Sequence, residues 1–150
     1  MQAERPDSNV PRLEFVSEGR VSIAETVALG ASKFGHRQWI PITGGRFEGP
    51  GFSGDVLPGV DWQVMRPDGV LDLDAHYAIR ATDGSLIKVR NRAIVYIPPD
   101  AKGAEDIYMR TVPEFEAPRD GALAWLNRTV FVGTGALVGT TVIIRIFKVC

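Results

Sequence analysis

An aspartate, a tyrosine and an asparagine interrupt an otherwise apolar strand pattern: Asp61, Tyr77 and Asn91. A carboxylate withdrawn from water loses the solvation that favours its charge, so its pKa rises toward neutrality. It can then take or give a proton near pH 7. A phenol beside it can donate to an oxygen that gains negative charge, and an amide can orient a carbonyl or the carboxylate itself. Together they are the parts of a proton-transfer site. The competing account is that Asp61, just after Pro58 and Gly59, only receives backbone amides at a strand end.

What brings the three together is a pair of turns, Pro67-Asp68-Gly69 and Thr82-Asp83-Gly84. If each is a three-residue loop with its glycine left-handed, the strand register follows. Ala81 then faces Ser85, Ile79 faces Ile87, Tyr77 faces Val89, Ala75 faces Asn91, Leu73 faces Ala93 and Leu71 faces Val95. Around the first turn Met65 faces Leu71, Gln63 faces Leu73 and Asp61 faces Ala75. Asp61, Ala75 and Asn91 thus form a row, with Tyr77 two residues along. Directly paired side chains lie about 5 Å apart and diagonal ones about 7–8 Å, so one cavity can touch all three. The opposite face collects Asp74, His76, Lys88, Arg90 and Arg92, as a wetted surface should. A two-residue loop would mix the two sets, so the alternation itself favours this register. Alternation alone does not say which face of each strand lines the interior.

Strand signals recur along the whole chain. Runs rich in Val, Ile, Thr, Tyr and Phe predict strands near 13–18, 20–29, 37–43, 45–57, 60–66, 70–81, 85–97, 106–116, 123–134 and 139–149, separated by Gly, Pro and Asp clusters. No segment carries a sustained helical period with caps; Ser22 to Ser32 comes nearest and fits a strand at least as well. Short connections without βαβ alternation predict an all-β fold, a single antiparallel β-barrel of about eight to ten strands, lipocalin-like in general shape, because closure removes exposed edges. A two-sheet sandwich is the alternative. Residues 1–12 form a loose N-terminal segment and 13–150 the barrel domain.

Composition excludes some function classes. The 150 residues carry 17 basic and 18 acidic side chains, a net charge of −1, which offers no cationic field to nucleic acid. No stretch approaches the roughly 20 apolar residues of a membrane-spanning helix. Met1 to Arg12 lacks the apolar run of a signal peptide. With one cysteine, Cys150, no intrachain disulfide is possible, and the cytoplasm is the expected compartment.

Other motifs carry less. Gly49-Pro50-Gly51-Phe52-Ser53-Gly54 matches the dinucleotide fingerprint literally, but Pro58-Gly59 follows where a helix should open, so corner glycines are the better account. His36 and His76 are too few for a catalytic zinc site, so no metal is expected. No Gly-x-Ser-x-Gly elbow is present, and a chain-terminal Cys150 is a poor nucleophile. Trp62, Trp125 and Asn127 are candidates to clamp a flat ligand, with core packing as the plain alternative. Arg110 is a candidate for an anionic group, or for an ion pair with Glu114 or Glu116.

The run Pro41-Ile42-Thr43-Gly44-Gly45-Arg46-Phe47-Glu48-Gly49-Pro50, then Gly54-Asp55-Val56-Leu57-Pro58-Gly59-Val60-Asp61-Trp62, resembles the signature of the bacterial and fungal family catalogued as domain of unknown function 3237. Further matches are Leu73-Asp74-Ala75-His76-Tyr77, Asp83-Gly84, Arg90-Asn91-Arg92, Arg110-Thr111 with Pro113 and Phe115, and Trp125-Leu126-Asn127 through Val132-Gly133. The similarity spans residues 13 to 149. It departs at His76, where the family more often has Arg, and at Ala93, where Gly is usual. The resemblance implies a compact, self-associating antiparallel barrel and no established activity. Asp61, Trp62, Tyr77, Asn91, Arg110, Trp125 and Asn127 fall at its motif positions.

The expected function is a cofactor-independent enzyme of the isomerase, cyclase or lyase type. Its substrate would be a largely apolar, aromatic or carbonyl-bearing small molecule, with Asp61 moving the proton and Tyr77 and Asn91 polarising the oxygen. The alternative is a non-catalytic carrier or sensor of hydrophobic ligands. The expected partners are that small molecule and a second copy of the chain, with neither nucleic acid nor membrane.

Overall fold

The computed structural model describes residues 9–150. Much of the expected loose segment, residues 1–8, lies outside them. Arg12 already exchanges both backbone hydrogen bonds with Cys150, at 3.1 and 2.8 Å, so pairing begins one residue before the expected barrel start.

Among the described residues ten strands run in chain order: β1 Leu13–Ile23, β2 Val27–Ser32, β3 Gly35–Glu48, β4 Gly54–Val56, β5 Gly59–Met65, β6 Leu71–Ala81, β7 Leu86–Tyr96, β8 Tyr108–Glu116, β9 Phe131–Val138 and β10 Thr141–Val149. All pair antiparallel. The order β1-β10-β9-β8-β7-β6 is completed by β4 and β5, which share one position between β6 and β3, and β3 returns to β1. The result is a closed eight-position barrel with two extra strands, as the turn-punctuated strand runs imply.

The long strand β3 makes this closure possible. Its first half pairs with β2 and β5, its second half with β1 and β4. Gly44 and Gly45 in its second half have φ of 157° and 131°. A side chain at Gly45 would meet the Arg20 carbonyl oxygen at 2.1 Å, so the strands cross there only because that position is bare.

Both central turns close as expected. Gly69 and Gly84 have φ of 84° and 89°, and Arg66 and Ala81 donate backbone N–H bonds to Val70 and Ser85, each at 2.9 Å. Every predicted pair from Met65–Leu71 to Ile79–Ile87 is present. The apolar face points inward. The charged face points out, where Arg90 grips Asp74 through two bonds of 3.0 Å and His76 lies 3.0 Å from the same carboxylate.

Several boundaries differ from the sequence expectation. The run 45–57 divides, because 49–53 form a corner: a side chain at Gly49 would meet the Val16 carbonyl oxygen at 2.3 Å. The run 20–29 also divides between β1 and β2. In the expected strand 123–134, Ala124–Arg128 is a short 3-10 helix, and β9 starts only at Phe131. The Asn127 side chain explains the detour. It accepts from the Ala117 backbone N–H at 2.7 Å and donates to the Ala117 carbonyl at 2.9 Å, stitching this segment across the barrel end. Leu126 is thereby buried as a plug.

The barrel's lower half is solid. Phe47, Phe52, Phe115, Phe131 and Trp125 form a chain of rings with centroids 5.0–5.9 Å apart, packed among Ile79, Ile87, Val89 and Ile146. Each such buried side chain is worth about 1.5–3 kcal/mol relative to exposure. The upper half is built from smaller inward residues, Ala75, Ala93, Gly133 and Gly135, and there the barrel is hollow.

Candidate functional site

The hollow is a cavity of about 330 Å³. Its wall is almost wholly aliphatic: Val21, Ile23, Ile40, Ile42, Leu71, Leu73, Val95, Val142 and Ile144 contribute, with Ile97, Ala104 and Ile107 at one end. Five side chains of this lining carry polar groups: Asp61 and Gln63 on β5, Tyr77 on β6, Asn91 on β7 and Thr111 on β8. Register explains their company. Asp61 pairs with Ala75, Ala75 with Asn91, and Tyr77 lies two residues further along β6. Thr111 pairs with Ala93 and Gly133, which places it diagonal to Asn91. Ala75 stands between Asp61 and Asn91, so the floor between the two polar groups is low.

Asp61 is held on one side only. Gln63 Nε2 donates to its Oδ2 at 2.9 Å, and Gln38 Nε2 donates to Gln63 Oε1 at 2.7 Å, a relay that fixes the amide orientation. The other oxygen, Oδ1, is buried with no hydrogen-bond partner. Burial pushes the Asp61 carboxyl up to about 6, against the lowering effects of the bond from Gln63 and of the Asp74 backbone N–H. At pH 7 the group is therefore mostly ionised, with the proton readily returned. Tyr77 is displaced upward by its own burial and then by the Asp61 charge, so its phenol keeps its proton throughout the physiological range. Two more atoms are buried without partners, Asn91 Oδ1 and Thr111 Oγ1. Native interiors leave few polar atoms unpaired, because each costs about 1–3 kcal/mol. Three around one apolar cavity mark a place shaped for an occupant.

The structure brings Asp61, Tyr77 and Asn91 to this cavity and leaves the other sequence candidates outside it. Trp62 alternates away from Asp61 onto the outer surface and packs on Trp39, with ring centroids 5.4 Å apart. Arg110 also faces outward. It lies over the Tyr108 ring at 4.9 Å, while Glu114, one of its expected ion-pair partners, binds Arg92 at 3.0 Å instead. Trp125 belongs to the ring chain of the barrel floor, and Asn127 is the clamp on Ala117. Both were expected on a strand face, and the 3-10 helix carries them to the closed end instead.

Gln63 and Thr111 are the polar residues that sequence reasoning passed over. The register did place Gln63 on the Asp61 face, which was the available signal. For Thr111 the pairing of β7 with β8 was needed, and no tight turn joins those strands to reveal it. Among the described residues, no group of three or more His, Cys, Asp or Glu is placed to hold a metal. No helix there is long and apolar enough to cross a membrane.

Comparison with known families matches residues 11–149 to the family described as "Protein of unknown function (DUF3237)". The chain belongs to this family. Its DUF3237 relatives include a UPF0311 protein of Rhodopseudomonas palustris, 36% identical over 93% of this chain and 98% of that one. Another is a UPF0311 protein of Clostridium acetobutylicum, 33% identical over 86% and 88%. The crystal structure of a Rhodopseudomonas palustris protein of unknown function superposes with a TM-score of 0.87, at 32% identity, over 95% of this chain and all of that one. A hydroalkoxylation enzyme of Penicillium herquei is 31% identical over 85 residues, 57% of each chain.

Proposed function

We propose that this barrel is a small-molecule enzyme catalysing cofactor-independent proton transfer, with Asp61 as the group that takes and returns the proton. The observation that carries the reading is Asp61 itself: a carboxyl at about 6, one oxygen tied to Gln63, the other unpartnered, at an apolar cavity. Most buried carboxylates that serve the fold alone have both oxygens bonded. The name of the Penicillium relative supports the same class, since hydroalkoxylation adds an O–H across a C=C and needs a proton moved but no redox cofactor.

In such an addition the ionised Asp61 takes the hydroxyl proton as that oxygen attacks the far carbon of an activated C=C. The C–O bond forms and the π electrons move toward the activating carbonyl. Neutral Tyr77 stabilises the resulting enolate by donating to its oxygen, and it survives as a donor because its phenol stays protonated. The carboxylic acid then returns its proton to the enolate carbon. Asp61 ends ionised, and nothing is oxidised or reduced. The relay from Gln38 through Gln63 keeps the carboxylate aimed during both transfers.

Ring closure of 2-hydroxyphenyl vinyl ketone to chroman-4-one, followed by absorbance, tests the reading on a substrate of suitable size. Wild type should exceed the buffer rate, and Asp61→Asn should lose about 10²–10⁴-fold, the range for a general acid-base group. Equal rates for wild type and Asp61→Asn would remove Asp61 from the chemistry. If the probe binds saturably and is recovered unchanged, the barrel is a carrier.

A further inference from the structure

Beyond the proton-transfer group, the cavity holds a second polar pair whose chemistry specifies part of the ligand. Asn91 and Thr111 are 6% and 1% exposed, and Asn91 Oδ1 and Thr111 Oγ1 have no partner. They sit diagonally on neighbouring strands, and both residues line the cavity. Valine has nearly the shape of threonine without its hydroxyl, so keeping an unpaired hydroxyl at position 111 costs stability that valine would spare. The barrel also makes room for that hydroxyl. A side chain at the facing Gly133 would lie 2.4 Å from Thr111 Oγ1.

The two orphaned atoms have a defined demand. An amide oxygen only accepts, whereas a threonine hydroxyl both donates and accepts. One ligand hydroxyl satisfies both, donating to Asn91 Oδ1 and accepting from Thr111. An ether or ketone oxygen has no proton for Asn91 Oδ1 and would leave that atom unpaired. A carboxylate or phosphate lacks the proton too and would share the cavity with Asp61, whose lining contains no Lys, Arg or His to balance it. Size adds a second constraint. An apolar cavity of about 150 Å³ accommodates benzene, so about 330 Å³ has room for two fused rings. Asp61 lies two strands from Asn91 across Ala75, about 10 Å at the backbone, so the anchored hydroxyl and the reacting proton belong to opposite ends of the molecule.

We propose that Asn91 and Thr111 form a hydroxyl-anchoring subsite, and that the ligands of this barrel are neutral, two-ring-sized apolar compounds carrying a free hydroxyl at the end remote from Asp61. The proposal rests on the reading of the cavity as a ligand site, and it deepens that reading by naming the ligand class.

Binding of 2-naphthol and 2-methoxynaphthalene, followed by naphthalene fluorescence, tests it without reference to turnover. Wild type should bind the naphthol about tenfold more tightly than the methyl ether, the value of one buried hydrogen bond. Thr111→Val and Asn91→Leu should each bring the two affinities to within about twofold. Thr111→Val should also melt no lower than wild type, which separates loss of anchoring from loss of fold. Asp61→Asn should retain the preference. A hydroxyl preference that persists in both Thr111→Val and Asn91→Leu but vanishes in Asp61→Asn would overturn the subsite and leave the proton-transfer reading standing. An absence of preference in wild type also overturns the subsite. Failure of both compounds to bind wild type saturably would overturn the cavity reading with it.

Discussion

A buried carboxylate that is useful to a reaction is costly to the fold, and Asp61 allows that cost to be measured. Its carboxyl stands at about 6 in the folded protein against an ordinary value of 3.8. The folded state therefore binds a proton more tightly than the unfolded chain. Stability from this group is fully present below about 4 and is lost as pH rises through about 6. Each pKa unit is worth about 1.4 kcal/mol, so the loss is about 3 kcal/mol by pH 8. Asp61→Asn keeps an oxygen for Gln63 Nε2 and has no charge to bury. It should be more stable than wild type by about 3 kcal/mol at pH 8, with the difference shrinking toward zero near pH 4. Taking a urea slope of about 2 kcal/mol/M, the unfolding midpoint should rise by about 1.5 M at pH 8. Urea titrations of both proteins at pH 4, 6 and 8 give the comparison directly. A difference that does not change with pH, or a mutant less stable at pH 8, would refute the argument that desolvation sets the state of Asp61.

Three further substitutions separate the parts of the site. Gln63→Leu removes the bond that favours ionised Asp61, so the carboxyl should titrate above about 6, and the rising limb of a pH–rate profile should move to higher pH. Ala75→Leu builds a side chain between Asp61 and Asn91; 2-naphthol binding should be lost by fluorescence, while stability holds or rises by about 1 kcal/mol as the cavity fills. Asn127→Ala unpairs both backbone groups of Ala117 and should cost about 1–3 kcal/mol in urea unfolding, with ligand affinity unchanged because the clamp lies at the closed end.

How far the sequence reveals the site depends on how local its determinants are. Two Asp-Gly turns fix the register of β5, β6 and β7, because a left-handed glycine in a three-residue loop leaves a single pairing consistent with the hydrophobic alternation. That is why the sequence alone places Asp61, Ala75, Tyr77 and Asn91 together. Thr111 escaped because β7 and β8 are joined by residues 97–107, a connection too long to transmit register. The short 3-10 helix around Trp125 escaped for another reason. Its hydrophobic content reads as strand, and the bonds from Asn127 to Ala117, ten residues away, override that preference. Trp62 and Arg110 were legible as conspicuous residues, but alternation sends Trp62 to the face opposite Asp61, and Arg110 to the face opposite Thr111.

Everything proposed for this cavity turns on Asp61 facing it as a carboxylate poised near neutrality. Titrating its side-chain carboxyl by ¹³C NMR, assigned by its disappearance in Asp61→Asn, tests this with no substrate needed. The midpoint should lie at about 6 and move when 2-naphthol occupies the cavity. A midpoint near the ordinary carboxylate value, unmoved by the ligand, would contradict it.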